Sequence, residues 1–269
     1  MELPRRAYAD GPFGQIHFQH LGTGAGVLLL HQAPATSGQF DNVYGPLSSQ
    51  GFHVIGVDMP GFGLSDPPSF TPYVEHYAEV VAPVLDALGM GRAAIVGHHT
   101  GALVATEAAI RWPERISALV VNGPLPVNEA ERQEYLQNGH LRELAFHALP
   151  GGEHLTWLFK LRETFAAGSV GPERITDYIV QAMLGRGRFW YGHHAAYQYH
   201  HDDALRQVTQ PALILTNTGD MIYSLALRAR ELRPDFEFIE LEGGGVDIVD
   251  QQPEAWSKAV GGFLRKHLA

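Results

Sequence analysis

At residues 96–102 the chain reads VGHHTGA, which sets His99 midway between Gly97 and Gly101. The apolar run RAAIVG precedes it and the small-residue run TGALVATEAAIRW follows. A tight turn from strand to helix needs small residues, because the backbone there passes close to its neighbours. The side chain between them is held out at the carboxyl edge of a sheet, and free N–H groups at the helix start point to the same spot. An imidazole so placed could move a proton, attack a carbon or bind a metal. A metal would recruit His31 and His98 alongside His99, but adjacent side chains at a turn diverge, so we expect no metal. WYGHHAAYQYHHDD adds His193, His194, His200 and His201 beside Asp202 and Asp203. A packing or surface role is expected for most of these, with room for one to face a pocket.

The elements that would position such a turn follow from periodicity. GVLLLH (26–31) and HVIGVD (53–58) are short, β-branched-rich apolar runs that suit buried parallel strands. Between them, YGPLSSQG predicts a short helix closed by Gly51. Residues 73–88 carry apolar side chains at helical spacing, and RAAIVG (92–97) and SALVVNG (117–123) predict two more strands. From 124 to 210 the pattern is helical, dense in aromatics and histidine, without a convincing strand. PALILTNTGD and DFEFIELEG restore strands, and PEAWSKAVGGFLRKHL closes the chain as an amphipathic helix. The expectation is an α/β fold, a doubly wound and mostly parallel sheet, with its core in 1–123 and 211–269 and a helical insertion at 124–210.

Composition narrows the function classes. In 269 residues, 45% are hydrophobic and 18% charged, as in an ordinary globular enzyme. A net charge of -10 without a basic stripe argues against a nucleic-acid partner. The absence of cysteine excludes disulfides and thiol catalysis. The start MELPRRAYADGPFGQ has no apolar signal region, and no run approaches the roughly 18 apolar residues of a membrane span. A cytoplasmic protein with a small-molecule partner and no membrane contact is expected, with a homodimer left open.

Five segments in order, LLLHQAP, DMPGFGLSDPP, VGHHTGALVA, LTNTGD and GGGVDIVDQQPEAW, resemble the α/β-hydrolase superfamily over nearly the whole chain. The insertion at 124–210 stands where that superfamily carries its cap. The resemblance implies a nucleophile at 99, an acid at Asp220, and oxyanion donors in the Thr100 and Ala33 N–H groups. It also implies a histidine base at 246, counting back from Pro253. The sequence departs at three of these places. His99 stands at the nucleophile position, Val246 replaces the base, and Gln32 replaces the glycine of the usual His-Gly loop. A serine-type acyl-enzyme route is therefore not expected. Relatives with histidine at positions matching 31 and 98 are commonly metal-free, and no cofactor is implied.

Loss of an imidazole at 246 leaves room beside Asp220, and His99 is long enough to grow into it. A His99–Asp220 pair would orient the ring and raise its basicity, making His99 a base or a nucleophile. Asp247 would face the site if its loop were shifted by one residue; otherwise it is a turn residue bonded to its own backbone. Asp250 is expected to help cap the last helix. Pocket candidates are His31, Gln32, His98, Trp190, Tyr191, Val246 and Asp247. The aromatics of the insertion suit a small hydrophobic molecule, while Arg186 and Arg188 either hold a substrate carboxylate or are solvated. The leading expectation is hydrolysis of an ester, lactone or C–C bond in a small carbonyl compound. The alternatives are a cofactor-free lyase or isomerase using His99 as base, and a noncatalytic ligand-binding protein.

Overall fold

A computed structural model describes residues 2–268. Eight strands form one sheet: β1 (Arg5–Gly11), β2 (Gly14–Leu21), β3 (Ala25–Leu30), β4 (Phe52–Val57), β5 (Ala93–His98), β6 (Ile116–Asn122), β7 (Ala212–Asn217) and β8 (Glu237–Leu241). Their order is β1-β2-β4-β3-β5-β6-β7-β8. The pairs β1–β2 and β2–β4 are antiparallel and the remaining pairs are parallel. The sheet reverses direction of growth at β3, and α/β sheets gather their chemistry beyond the carboxyl ends of strands near such a point.

Alternate residues of the central strands feed two separate cores. Leu28, Ile95, Leu119 and Ile214 pack with Ala102, Val104 and Val74 from the helices Thr100–Arg111 and Val74–Ala78. Leu29, Val96, Val120 and Leu215 pack with Tyr44, Leu47, Trp256 and Phe263 from the helices Tyr44–Ser48 and Pro253–His267. Burial on both faces is why these strands read as unbroken apolar runs. The helix expected over 73–88 is two, Val74–Ala78 and Val81–Ala87. Pro83 accounts for the break: its ring conflicts with the carbonyl four residues earlier, at Glu79.

The β1–β2 hairpin has no counterpart among the expected strands. Ile16 and Phe18 of β2 enter one core while His17 and Gln19 are buried on its opposite face, so polar residues stand where a strand buried on both faces would carry apolar ones. His17 Nδ1 lies 2.8 Å from Asp58 Oδ2 at the end of β4, which gives the buried carboxylate a partner.

No strand falls between 123 and 211 among the described residues; the regular elements of the span are helices joined by turns and loops. Its last helix, His201–Gln207, lies against Thr100–Arg111. His201 is fully buried there, accepting from the Leu125 N–H at 3.0 Å on Nδ1 and donating from Nε2 to Thr106 Oγ1 at 3.0 Å. Burial drives its pKa down to about 3, so this histidine is a neutral packing residue. Asp250 does not cap the last helix as expected. Its carboxylate accepts from Asn42 Nδ2 at 2.7 Å, from Arg174 Nε at 3.0 Å, and from the Tyr178 hydroxyl. Arg174 and Tyr178 belong to the helix Pro172–Leu184, so Asp250 ties the insertion to the sheet-bearing part. Among the described residues, no helix is long and apolar enough to cross a membrane.

Candidate active site

β5 ends at His98, and the chain turns at His99 with φ 49° and ψ -113° into the helix Thr100–Arg111. Positive φ is rare for a residue with a side chain and is tolerated where the surroundings over-determine it. They do so here. A Cβ on Gly97 would overlap the Gly101 carbonyl, and one on Gly101 would overlap the Leu30 carbonyl. The His99 N–H also donates to the Asn122 carbonyl at 2.8 Å.

The imidazole points from this turn to the end of β7. His99 Nε2 lies 2.8 Å from Asp220 Oδ2, and Asp220 Oδ1 accepts the Ile222 N–H at 3.1 Å. Burial opposes ionisation of Asp220, but the charge and hydrogen bond of His99 outweigh it and hold the carboxyl at about 2. An ionised Asp220 accepts only, so it keeps a proton on Nε2 and turns the Nδ1 lone pair outward. His99 lines a cavity of about 340 Å³, and among the described residues its Nδ1 has no hydrogen-bond partner.

One residue that makes this geometry was not singled out from the sequence. Gly123, just past β6, has φ +68°, and a Cβ there would lie 2.5 Å from His99 Cδ2 and 2.8 Å from Nε2. The imidazole occupies the space a side chain at 123 would need. The glycine was visible in SALVVNG, but its partner is far away in sequence.

Gln32, Ala33 and Val246 line the cavity with His99. Thr100 is the first residue of its helix, so its N–H has no acceptor within that helix. Gln39 was also missed: its Oε1 accepts the Gln32 N–H at 2.9 Å while its Nε2 donates to His98 Nδ1, and it lines the cavity too.

Other candidates lie off the cavity wall. His31 is sealed, its Nδ1 donating to the Gln32 carbonyl at 2.8 Å and its Nε2 accepting the Met59 N–H at 3.0 Å. Both ring nitrogens are thus committed to backbone. His98 is fully buried with Nε2 unpartnered, and burial followed by the His99 charge pushes its pKa far below the ordinary value. Trp190 packs on His140 at 5.1 Å and on Tyr191 at 4.8 Å, away from the wall, where Trp157, Phe189 and Tyr197 stand instead. Arg186 is exposed beside Asp66. Asp247 neither reaches the cavity nor bonds its own backbone through its carboxylate. It is buried against Arg162, and burial raises its pKa although the Arg162 charge opposes the shift. Arg162 itself lines the cavity, as do Glu143 and His193.

A family model described as alpha/beta hydrolase fold matches residues 27–226. The 2-(acetamidomethylene)succinate hydrolase of Mesorhizobium japonicum is 27% identical, over 93% of this chain and 91% of its own. The 2-hydroxy-6-oxo-6-phenylhexa-2,4-dienoate hydrolase of Comamonas testosteroni is 35% identical over 65% of this chain and 67% of its own. Among solved structures, that of E-2-(acetamidomethylene)succinate hydrolase superposes with a TM-score of 0.82 at 22% identity, covering 97% of this chain and 99% of its own.

Proposed function

Since the chain belongs to the α/β-hydrolase-fold family, we propose that it hydrolyses a small, largely hydrophobic carbonyl compound, with His99 as the general base. One observation carries this reading: the 2.8 Å contact of His99 Nε2 with a buried, ionised Asp220, which leaves Nδ1 as the free nitrogen of a ring lining the cavity. Nδ1 takes a proton from water as the water oxygen adds to the carbonyl carbon. The N–H groups of Thr100 and Ala33 stabilise the oxyanion so formed. No covalent enzyme intermediate is required. Among the described residues the cavity wall holds no serine, threonine, cysteine or aspartate. The hydrolase names carried by the relatives on either side of 30% identity favour the same reaction class.

A second reading, proton abstraction from carbon as in a lyase or isomerase, uses the same base and is favoured by that same lack of a serine, threonine, cysteine or aspartate on the wall. Turnover of activated esters, lactones and β-dicarbonyl compounds by the parent and by His99→Ala tests both. We expect product in the parent and a loss of about 10²–10⁴-fold in the variant. The product separates hydrolysis from proton transfer. Equal activity in His99→Ala would refute both readings. Ligand-induced thermal stabilisation without turnover would mark a binding protein instead.

A further inference from the structure

The helical insertion brings a second imidazole–carboxylate pair to the same cavity. Glu143, in the helix His140–Leu144, and His193, in the helix Tyr191–Gln198, both line it, and His193 Nδ1 is hydrogen-bonded to Glu143 Oε1. The ring is held flat by Tyr197, stacked at 5.9 Å and 11°, which is itself stacked on Tyr135 at 5.0 Å and 8°. A π-helical segment, Tyr135–Gly139, leads into the Glu143 helix; such segments re-aim the residues that follow them.

The backbone places this pair close to the oxyanion loop. Gly192 presses on Ala33: a Cβ at 192 would collide with the Ala33 methyl and lie 3.0 Å from the Phe62 ring. His193 therefore follows directly on a residue in contact with the loop that carries the Ala33 N–H. Among the described residues its Nε2 makes no hydrogen bond, and Glu143 Oε2 is buried without a partner. Burial disfavours the imidazolium, but the Glu143 charge and hydrogen bond outweigh it and raise the His193 pKa. Two rings thus share one cavity, each bound to its own carboxylate; His99 keeps an open lone pair on Nδ1, and the protonated form of His193 carries an N–H on Nε2. That division is what concerted acid–base catalysis needs.

We propose that His193, held by Glu143, is the general acid of this site and protonates the departing oxygen of a carbonyl compound whose second fragment leaves as an alkoxide or enolate. The proposal rests on His99 being the base. In the balanced reaction, the water oxygen bonds to the carbonyl carbon and its proton passes to His99 Nδ1. The bond from that carbon to the leaving fragment then breaks. Its electron pair goes to the leaving oxygen, directly in an ester or lactone and through the enolate in a β-dicarbonyl compound. That oxygen takes the Nε2 proton of His193. A carboxylic acid and an alcohol or enol result, one water is consumed, and solvent returns the proton from His99 to His193.

A leaving group that is already a stable anion needs no such proton, and this gives the test. The parent, His193→Gln and Glu143→Gln are compared on esters of one acid with alcohols ranging from 4-nitrophenol to ethanol. We expect His193→Gln to lose about 10²-fold in kcat/KM on the ethyl ester and to change little on the 4-nitrophenyl ester. A packing residue would lower both alike, so an equal loss across the series, or no loss, overturns the proposal. His99→Ala separates the two readings, because it slows turnover of every ester alike, by about 10²–10⁴-fold. If the parent turns over no ester, the hydrolytic reading falls by itself and nitrogen-15 NMR of the histidine rings decides the acid. His193 must then stay protonated to higher pH in the parent than in Glu143→Gln; equal titration in the two overturns the proposal.

Discussion

Replacing Asp220 by asparagine keeps the shape of the site and removes the charge that His99 leans on. The carboxyl titrates at about 2 instead of the ordinary 3.8 in spite of burial. A hydrogen bond between the protonated ring and an ionised carboxylate contributes about 2 kcal/mol. The protonated ring is the state His99 reaches in the transition state of base catalysis. Losing that attraction slows kcat by at least about 30-fold. An asparagine amide can also donate to Nε2 and reverse the tautomer, which carries the loss towards about 10⁴-fold. The assay is steady-state hydrolysis of an activated ester by the parent and Asp220→Asn, with KM expected to stay near the parent value because Asp220 is covered by His99. A kcat within about threefold of the parent would refute the reasoning. The same shift has a stability counterpart. A carboxyl whose pKa is depressed by folding contributes stability that is complete above its unfolded value and is lost as pH falls through about 2. Acid unfolding of the parent should therefore steepen below about pH 4, and Asp220→Asn should lack about 2 kcal/mol of that dependence.

Gly123→Ala puts a methyl 2.5 Å from His99 Cδ2 at φ +68°; thermal unfolding should show about 1–2 kcal/mol of destabilisation, and the displaced ring should cost most of the activity. Arg174→Ala removes the cation from buried Asp250 and parts the insertion from the sheet; denaturant unfolding should register a loss of about 3 kcal/mol. The double change His99→Ser with Val246→His should hydrolyse activated esters with a burst of acyl-enzyme that the parent and either single change lack, because nucleophile and base act as a unit.

The central strands and the elbow were legible because each depends on a local signal: an apolar run of strand length, or glycines placed where the backbone is crowded. The His99–Asp220 pair was legible for a different reason. An imidazole too many at 99 and one too few at 246 meet a carboxylate in the expected place, and the shape of the fold does the rest. What escaped was everything set by packing between distant segments. His17 and Gln19 disguise β2 because their partners, Asp58 and Asp41, lie on other elements. Trp190 and Tyr191 were reasonable pocket aromatics by type, but the rotation of the helix Tyr191–Gln198 turns His193 and Tyr197 to the cavity instead. No periodicity in 124–210 encodes that rotation, since it is fixed by contacts such as Gly192 against Ala33. Asp247 and Asp250 were read as turn and cap residues by local rule, whereas arginines of the insertion claim both.

The insertion also dictates an order of events when the chain folds. β6 and β7 are hydrogen-bonded neighbours, yet Asn122 and Leu215, which meet across them, are 93 residues apart in sequence. Everything up to β6 can pair through short crossovers, but β7 joins only after that long loop closes, at an entropic cost that comes before any reward from the contacts. His99 stands on the early side of the closure and Asp220 on the late side, 121 residues on. A nascent or refolding chain therefore gains most of its sheet before it can gain any chemistry. The recovery of catalysis should trail the recovery of circular dichroism by the time that β7 takes to find β6.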